Sequence, residues 1–475
     1  MADRPYIFAE LTNSICATCL RKVEAKVILQ EGRVYLDKFC PEHRHQRVLV
    51  ASDADYWQRS RRTLKPGQLP LHFNTRETAL GCPYDCGLCP GHEQHSCLTV
   101  LEITEHCNLS CPVCYADSGP TRTRHRTLAQ IEAMLDAVVR NEGEPDVVQI
   151  SGGEPTLHPQ FFEVLDAARA RPIKHLMLNT NGLRIARDPA FAERLATCTP
   201  GFEVYLQFDS LREGPLRTLR GADLRDVRRR ALDRLNALGI STTLVVVLQH
   251  GLNDDELGEI VQFALQQPCV RGVTFQPVQV AGRLDTFDPA RDRLTLSEVR
   301  TRLIEQCGGL FAPDDVVPVP CNPDCIAMAY ALKLPGAGVV PLTRFVDPQA
   351  LLDAGNTITF EHGPLREKVV QLFSTAHSPE SCAGSLQSLL CCLPQIEVPA
   401  GFGYENLFRV IIMQFLDPWN FDVRAVKRSC VHIVHPDGRL IPFDTYNLFY
   451  REGLEPVLAR ASGRAALQPV AGGAQ

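Results

Sequence analysis

The chain has 475 residues, 45% hydrophobic and 22% charged, with a formal net charge of −6. That is ample length for a large core with smaller modules attached, and the acidic balance argues against a nucleic-acid partner. No apolar run approaches the ~20 residues of a membrane span, and the N-terminus lacks a basic stretch followed by an apolar one, so a cytoplasmic protein is expected.

Nineteen cysteines are many for such a chain. In a reducing compartment they read as metal ligands rather than disulfides. The first group lies in residues 1–60. Cys16 and Cys19 form a CxxC, and Cys40 with His43 forms a second pair. That is tetrahedral spacing for zinc or a rubredoxin-type iron, with His45 a weaker substitute for His43. Val23–Leu29 and Arg33–Phe39 alternate around Glu31-Gly32 and predict a β-hairpin that brings the two pairs together.

Residues 61–97 carry Cys82, Cys86, Cys89 and Cys97 in a Gly/Pro-rich stretch. Four thiols close together are expected to hold an auxiliary [4Fe–4S] cluster, with zinc as the alternative. His92 and His95 read as solvated loop residues. An apolar strand, Leu98–Thr104, follows and leads into Cys107, Cys111 and Cys114. This triplet repeats the C-x3-C-x2-C spacing of Cys82, Cys86 and Cys89, but it follows a strand and has no fourth cysteine directly downstream. Three thiolates can hold three irons of a cubane and leave the fourth open to a small molecule.

Beyond the triplet, strands alternate with helices. Thr127 and Gln130 form a capping box ahead of Leu128, Ile131, Leu135 and Val138 at helical spacing. Strands are predicted at Val147–Ser151, His175–Asn179, Glu203–Phe208, Thr242–Leu248 and Gly272–Gln276. With Leu98–Thr104 these make six β/α units and predict an α/β fold, an open barrel of parallel strands over residues 98–300. Active-site residues are expected at the C-terminal strand ends. Gly152, Gly153, Glu154 and Pro155 follow the second strand, and the glycines permit a close approach to a ligand. Asn179, Gln207 and Asp209 lie at later strand ends, the first two as candidate cofactor contacts. Asn253 and Asp254 read as turn residues.

Residues 301–475 are richer in Pro, Gly and Cys and are expected to form a C-terminal auxiliary domain. Cys321, Cys325 and Cys430 could hold a third cluster, with Cys382, Cys391 and Cys392 also in this block. Cys198, Cys269 and Cys307 read as core thiols. Leu407–Phe421 is apolar on nearly all sides and predicts a helix, buried or lining an apolar cavity.

The triplet with Gly152–Pro155 resembles the radical S-adenosylmethionine (SAM) superfamily. The resemblance implies a partial (β/α)6 barrel, a [4Fe–4S] cluster whose open iron chelates SAM, contact of the Gly152, Gly153, Glu154 and Pro155 segment with the SAM methionine amine, and reductive cleavage to a 5′-deoxyadenosyl radical. It also implies reduced ferredoxin or flavodoxin as the electron donor. The blocks GCPYDCGLCPGHEQHSCL, CNLSCPVCYADSG, FLDPWNFD and CVHIVHPDGRLIPFDTYNLFYR resemble the archaeal tetraether lipid synthase family and its bacterial relatives. That narrower resemblance implies coupling of unactivated carbons of lipid tails, one or two auxiliary clusters, a rubredoxin-like module and peripheral contact with the inner face of the membrane. One departure is Asp444, where the family has cysteine; oxygen is a poorer cluster ligand than thiolate. Two other readings stand beside this one. One is radical SAM methylation of a pterin, or modification of a peptide; the other is an iron–sulfur electron carrier.

Overall fold

Runs rich in Val, Ile, Leu and Thr dictate the centre of the fold. In a strand covered on both faces such runs are continuous rather than alternating. The computed structural model describes residues 4–64, 68–75, 80–284, 287–334, 338–344 and 404–462. The six predicted barrel strands are all present as β5 (Leu98–Thr104), β7 (Val147–Gly152), β8 (His175–Thr180), β9 (Phe202–Gln207), β10 (Thr242–Leu248) and β11 (Val270–Pro277). They pair in that order and in parallel. Helices cross between them. The first, Leu128–Glu142, starts at the Thr127–Gln130 capping box that the sequence predicts.

The N-terminal module is an antiparallel sheet of β1 (Ile7–Ile15), β2 (Lys22–Gln30), β3 (Arg33–Cys40) and β4 (Arg44–Ala51). The predicted hairpin is β2–β3. Gln30 pairs with Arg33, and Glu31 and Gly32 both take positive φ, the two-residue turn whose twist suits a hairpin. The sheet docks on the rest of the chain through buried Lys38. Its ammonium donates to the carbonyls of Ile15 (2.7 Å), Pro418 (2.7 Å) and Trp419 (2.8 Å).

Residues beyond 300 do not stand apart from the barrel sheet. The remaining strands, in chain order, are β6 (Val113–Cys114), β12 (Arg283–Leu284), β13 (Val317–Pro318), β14 (Ile326–Leu334), β15 (Gly338–Pro341), β16 (Leu407–Met413), β17 (Val431–Val434) and β18 (Leu440–Pro442). β16 lies parallel to β11, and β17 lies parallel to β5, so two late strands extend the parallel set at its two ends. The boundary near residue 300 therefore separates sequence blocks rather than sheets.

This corrects the helix expected over Leu407–Phe421. Its first half is β16, held between β11 and antiparallel β14. Val410, Ile411 and Ile412 are β-branched and stiff at χ1, which favours a pleated strand. A strand buried on both faces has no periodicity to distinguish it from a buried helix. Ile412 is fully buried.

Two apolar cores result. One fills the space between the barrel strands and their helices. The other joins the C-terminal strands to the cysteine loops and contains Cys82, Cys86, Cys97, Cys321, Cys325 and Cys430. Cys198, Cys269 and Cys307 are buried among apolar side chains, as expected of core thiols. Cys382, Cys391 and Cys392 lie outside the described residues. Among the described residues, no helix is long and apolar enough to cross a membrane.

Candidate active site

The barrel mouth is built by one close approach of backbone to backbone. β5 leaves the sheet past Thr104 and runs over the end of β7. Gly153 N–H donates to the Thr104 carbonyl and Glu154 N–H to the His106 carbonyl, both at 2.8 Å. A Cβ on Gly152 would lie 2.3 Å from the Thr104 oxygen, and one on Gly153 would lie 2.2 Å from the His106 oxygen. Only glycine fits there. The pair therefore fixes the backbone that enters the Cys107–Cys114 loop, a nearer role than the ligand approach expected from the sequence.

Cys107, Cys111 and Cys114 line one cavity with Gly152, Gly153 and the side chains of Asn179 and Gln207. The cysteine loop is clamped from behind by Arg283. Its backbone pairs with Cys114, and its guanidinium donates to the carbonyls of Cys111 (2.7 Å) and Ser118 (2.7 Å) and to Asp117 (2.9 Å). Burial pushes the Cys107 thiol up to about 12. Burial also raises Cys111, but the Arg220 guanidinium beside it opposes that shift through its charge and a hydrogen bond.

A ladder of side chains crosses the strand ends at the mouth. Asn179 Nδ2 donates to Ser151 Oγ (3.1 Å), Gln207 Nε2 to Asn179 Oδ1 (2.8 Å), and Arg220 Nη2 to Gln207 Oε1 (2.9 Å). Arg220 also grips Asp209 through two bonds, at 2.6 and 2.7 Å. Asp209 is fully buried and serves this ion pair rather than the cavity surface.

Glu154 differs from expectation. Its carboxylate is buried and accepts from Thr156 Oγ1 (2.6 Å), Thr156 N (3.2 Å), Thr180 Oγ1 (2.8 Å) and Asn181 N (2.8 Å). With its oxygens so occupied, it ties the Gly152–Pro155 turn to the end of β8. Neither Glu154 nor Pro155 borders the cavity. Asn253 plays the turn role expected of it, accepting from Gln249 N and donating to the carbonyls of Asp209 and Val247.

The N-terminal site has a different geometry. Cys16, Cys19, Cys40 and His43 bring their ligand atoms within 4.8 Å of one another. Cys19 and Cys40 sulfurs are 3.9 Å apart, and Cys40 Sγ lies 3.6 Å from His43 Nδ1. A tetrahedral zinc with ordinary bond lengths has S–S edges of about 3.8 Å and S–N edges of about 3.6 Å. Burial opposes ionisation of Cys16, yet the amides of Cys19 and Thr18 prevail and bring its thiol down to about 7. His45 instead bonds Asp37 at 2.6 Å on the surface. Among the described residues no other set of potential ligands is this tight.

The remaining cysteines regroup. Cys82, Cys86 and Cys89 are electrostatic neighbours. Cys97, expected with them, is hydrogen-bonded to Cys430. The two residues immediately precede β5 and β17, whose parallel pairing sets them side by side. Cys430 in turn neighbours Cys325, which faces Asp444. Asp444 is buried, accepts from Leu416 N at 2.6 Å, and is pushed up to about 7 by burial. His92 and His95 are buried, not solvated. His92 Nε2 donates to the Ser429 carbonyl at 2.9 Å, and His95 bonds Glu142 at 2.8 Å, because the segment before β17 and the end of helix Leu128–Glu142 cover their loop.

Comparison with known proteins adds identity to this geometry. Residues 101–264 match the radical SAM superfamily. That match runs from β5 through β10 of the barrel. Residues 8–52 match the family described as the HMPTM N-terminal zinc ribbon domain. A 7,8-dihydro-6-hydroxymethylpterin dimethyltransferase of Methanocaldococcus jannaschii is 28% identical over 94% of this chain and 94% of its own. A mycofactocin maturase of Mycobacterium tuberculosis is 33% identical over 38% of this chain and 44% of its own. A GTP 3′,8-cyclase of Alkaliphilus oremlandii is 30% identical over 38% of this chain and 57% of its own. Among solved structures, Streptococcus suis SuiB bound to S-adenosylmethionine aligns with a TM-score of 0.37 at 17% identity, over 48% of this chain and 57% of its own.

The protein is thus a radical SAM enzyme, with a [4Fe–4S] cluster and SAM as cofactors and a metal in its N-terminal ribbon. The mouth fits that pair. It offers three neighbouring thiols, a cationic guanidinium beside one of them, and amide side chains around a common cavity. Sequence reading missed Arg220, Tyr115 and Phe443, which border the cavity, and Arg283, which braces the cysteine loop. Tyr115 directly follows Cys114, whereas only tertiary structure brings Arg220, Arg283 and Phe443 to the triplet, and no local spacing marks those three.

Proposed function

We propose that this radical SAM enzyme abstracts hydrogen from a carbon of a compact, pterin-like heterocycle and methylates that carbon with a one-carbon unit from a separate donor, with Cys107, Cys111 and Cys114 as ligands of the SAM-binding cluster. The donor is separate because cleaved SAM leaves with its methyl on methionine. When bound, the cluster supplies the electron that cleaves SAM and releases a hydrogen-abstracting 5′-deoxyadenosyl radical. Asn179 and Gln207 orient SAM at the strand ends. Gly152 and Gly153 hold the entry to the cysteine loop, and Arg283 keeps that loop shut from behind.

The observation that carries the reading is the match along 94% of both chains to a protein named as a pterin dimethyltransferase. The cavity supports it. It encloses about 170 Å3, and amides of Gln149, Gln276 and Gln279 stand among its apolar side chains. A long alkyl chain offers no hydrogen bonds and is held by buried apolar area alone. Amide-bearing walls suit a small ring with polar edges. The relatives do not support the lipid-tail coupling or the membrane contact expected from the sequence.

With this reading go a reduced ferredoxin or flavodoxin as donor, a cytoplasmic setting, and auxiliary iron–sulfur binding by Cys82, Cys86 and Cys89 and by Cys97, Cys321, Cys325 and Cys430. The test is anaerobic incubation of reconstituted enzyme with SAM, reductant and 6-hydroxymethyl-7,8-dihydropterin, supplemented with a one-carbon donor extract. Mass spectrometry should show the pterin heavier by one or two methyl groups. An unaltered pterin beside ample 5′-deoxyadenosine would reject the substrate class.

A further inference from the structure

The inner face of the barrel is layered. In a strand successive side chains point to opposite faces. On β7, Val148 and Ile150 pack into the core between the sheet and its helices, so Val147, Gln149 and Ser151 point into the barrel. Ser151 belongs to the ladder at the mouth, where Asn179 donates to its hydroxyl at 3.1 Å. Val147 belongs to an apolar layer with Met177, Tyr205 and Val245. Gln149 lies between the two, one strand repeat of about 7 Å below Ser151. It borders the cavity that holds the cysteine triplet.

Gln149 is only 6% exposed, yet among the described residues its side-chain amide has no hydrogen-bond partner. Neither its oxygen nor its nitrogen is sealed off, so both meet the cavity. Other amides of the cavity are engaged by neighbours. Asn179 pairs with Gln207, Asn181 donates to Asn108 at 2.7 Å, and Gln276 Nε2 donates to Tyr205 Oη at 3.3 Å. Val100, the partner of Gln149 on β5, gives the cavity an apolar lining together with Leu98, Val247 and Met413. A polar group in such surroundings is costly unless it is paired. An amide with both groups open is matched by a ligand edge that offers one donor and one acceptor side by side.

We infer that Gln149 anchors the substrate by a lactam edge: Gln149 Oε1 accepts the ring N–H, and Nε2 donates to the adjacent ring carbonyl. This rests on the reading of the substrate as pterin-like and names the group that recognises it. A carboxamide reads the edge of a flat nitrogen base through two parallel hydrogen bonds in the same way. Anchored inside the barrel, the heterocycle turns its opposite edge towards Ser151, Asn179 and Gln207 at the strand ends. A site built to pair one N–H discriminates strongly against an analogue that lacks it.

The test is equilibrium dialysis of two compounds against the cluster-loaded enzyme with SAM, without reductant so that nothing turns over. One is 6-hydroxymethyl-7,8-dihydropterin. The other is its 3-methyl derivative, which carries a methyl group in place of the lactam proton. The wild type should bind the methylated compound roughly 10-fold worse than the parent. Gln149→Ala should bind the parent roughly 10-fold worse than the wild type does, and should bind the two compounds alike. Gln149→Leu keeps the bulk of the side chain and should weaken the parent by the same factor, which separates lost hydrogen bonds from lost packing. A glutamine with a merely structural role would weaken both compounds by one factor and leave the ratio of their affinities unmoved. If that ratio keeps its wild-type value in Gln149→Ala while the wild type methylates the pterin, the anchor is wrong and the substrate class stands. If the wild type binds neither compound, both fall.

Discussion

The two ends of the barrel are made from the same strands and do opposite things. At the C-terminal ends the side chains leave a cavity, and they orient the cysteine loop and keep amides available around it. At the N-terminal ends a charged network is closed on itself. Glu203, fully buried near the start of β9, accepts from Thr243 Oγ1 and lies 3.5 Å from both His175 and Arg409. Burial works against the Glu203 carboxylate, but the nearby His175 ring and the Arg409 charge outweigh it and hold it near 2. Polar groups in one barrel are thus spent on chemistry at the mouth and on plugging the floor, the division expected of barrels of parallel strands.

Substitutions at the two ends should separate activity from stability. The largest effect is expected at the mouth. Cys107→Ala should abolish 5′-deoxyadenosine formation, read by chromatography, while the melting temperature of the protein moves little. Retained SAM cleavage in this variant would remove the triplet from the cluster and pass the role to Cys82, Cys86 and Cys89.

The ribbon gives the next effect. Cys40→Ala should lower metal content by about one ion per chain and unfold residues 8–52, because a structural tetrahedral site contributes folding free energy directly. The iron–sulfur absorbance of the barrel should remain. Full protection of the ribbon amides in hydrogen exchange, despite metal loss, would show that the site is dispensable for its fold.

At the floor, Glu203→Ala should cost about 3–5 kcal/mol of stability by leaving Arg409 and His175 without their buried partner. Denaturant unfolding measures this, and SAM cleavage per folded molecule should be unchanged. The same carboxylate predicts a pH effect. Its pKa is lower in the folded state than in the unfolded chain, so its contribution is present above about pH 4.5 and is lost as pH falls towards 2. The wild type should therefore lose stability over that window more steeply than Glu203→Gln. Parallel curves would show that the floor network does not titrate with folding.

The contrast also explains what could be read in advance. The six barrel strands and the β2–β3 hairpin were legible because β-branched runs and a Glu-Gly turn act locally. The clustering of Cys16, Cys19, Cys40 and His43 was legible because a single ion would demand close spacing, which two short pairs already encode. β16 was misread because a strand covered on both faces loses the period-two signal. Cys97 was grouped with Cys82 by proximity in sequence, whereas the pairing of β5 with β17 puts it against Cys430. Glu154 was placed at the ligand because its neighbours are glycines, but four hydrogen bonds turn its carboxylate into the turn behind the cavity. Arg220 and Arg283 reach the cysteine loop only through long-range contacts, which no window of sequence contains.

The central claim is that the mouth directs hydrogen abstraction at a carbon of the heterocycle. Pterin deuterated at its ring and side-chain carbons, incubated anaerobically with reconstituted enzyme, SAM, reductant and a one-carbon donor extract, tests it directly. Deuterium should appear in 5′-deoxyadenosine, and also at the 5′ carbon of recovered SAM if abstraction is reversible, in proportion to pterin consumed. 5′-Deoxyadenosine that forms at the same rate with and without the pterin, and that carries no deuterium, would contradict the account.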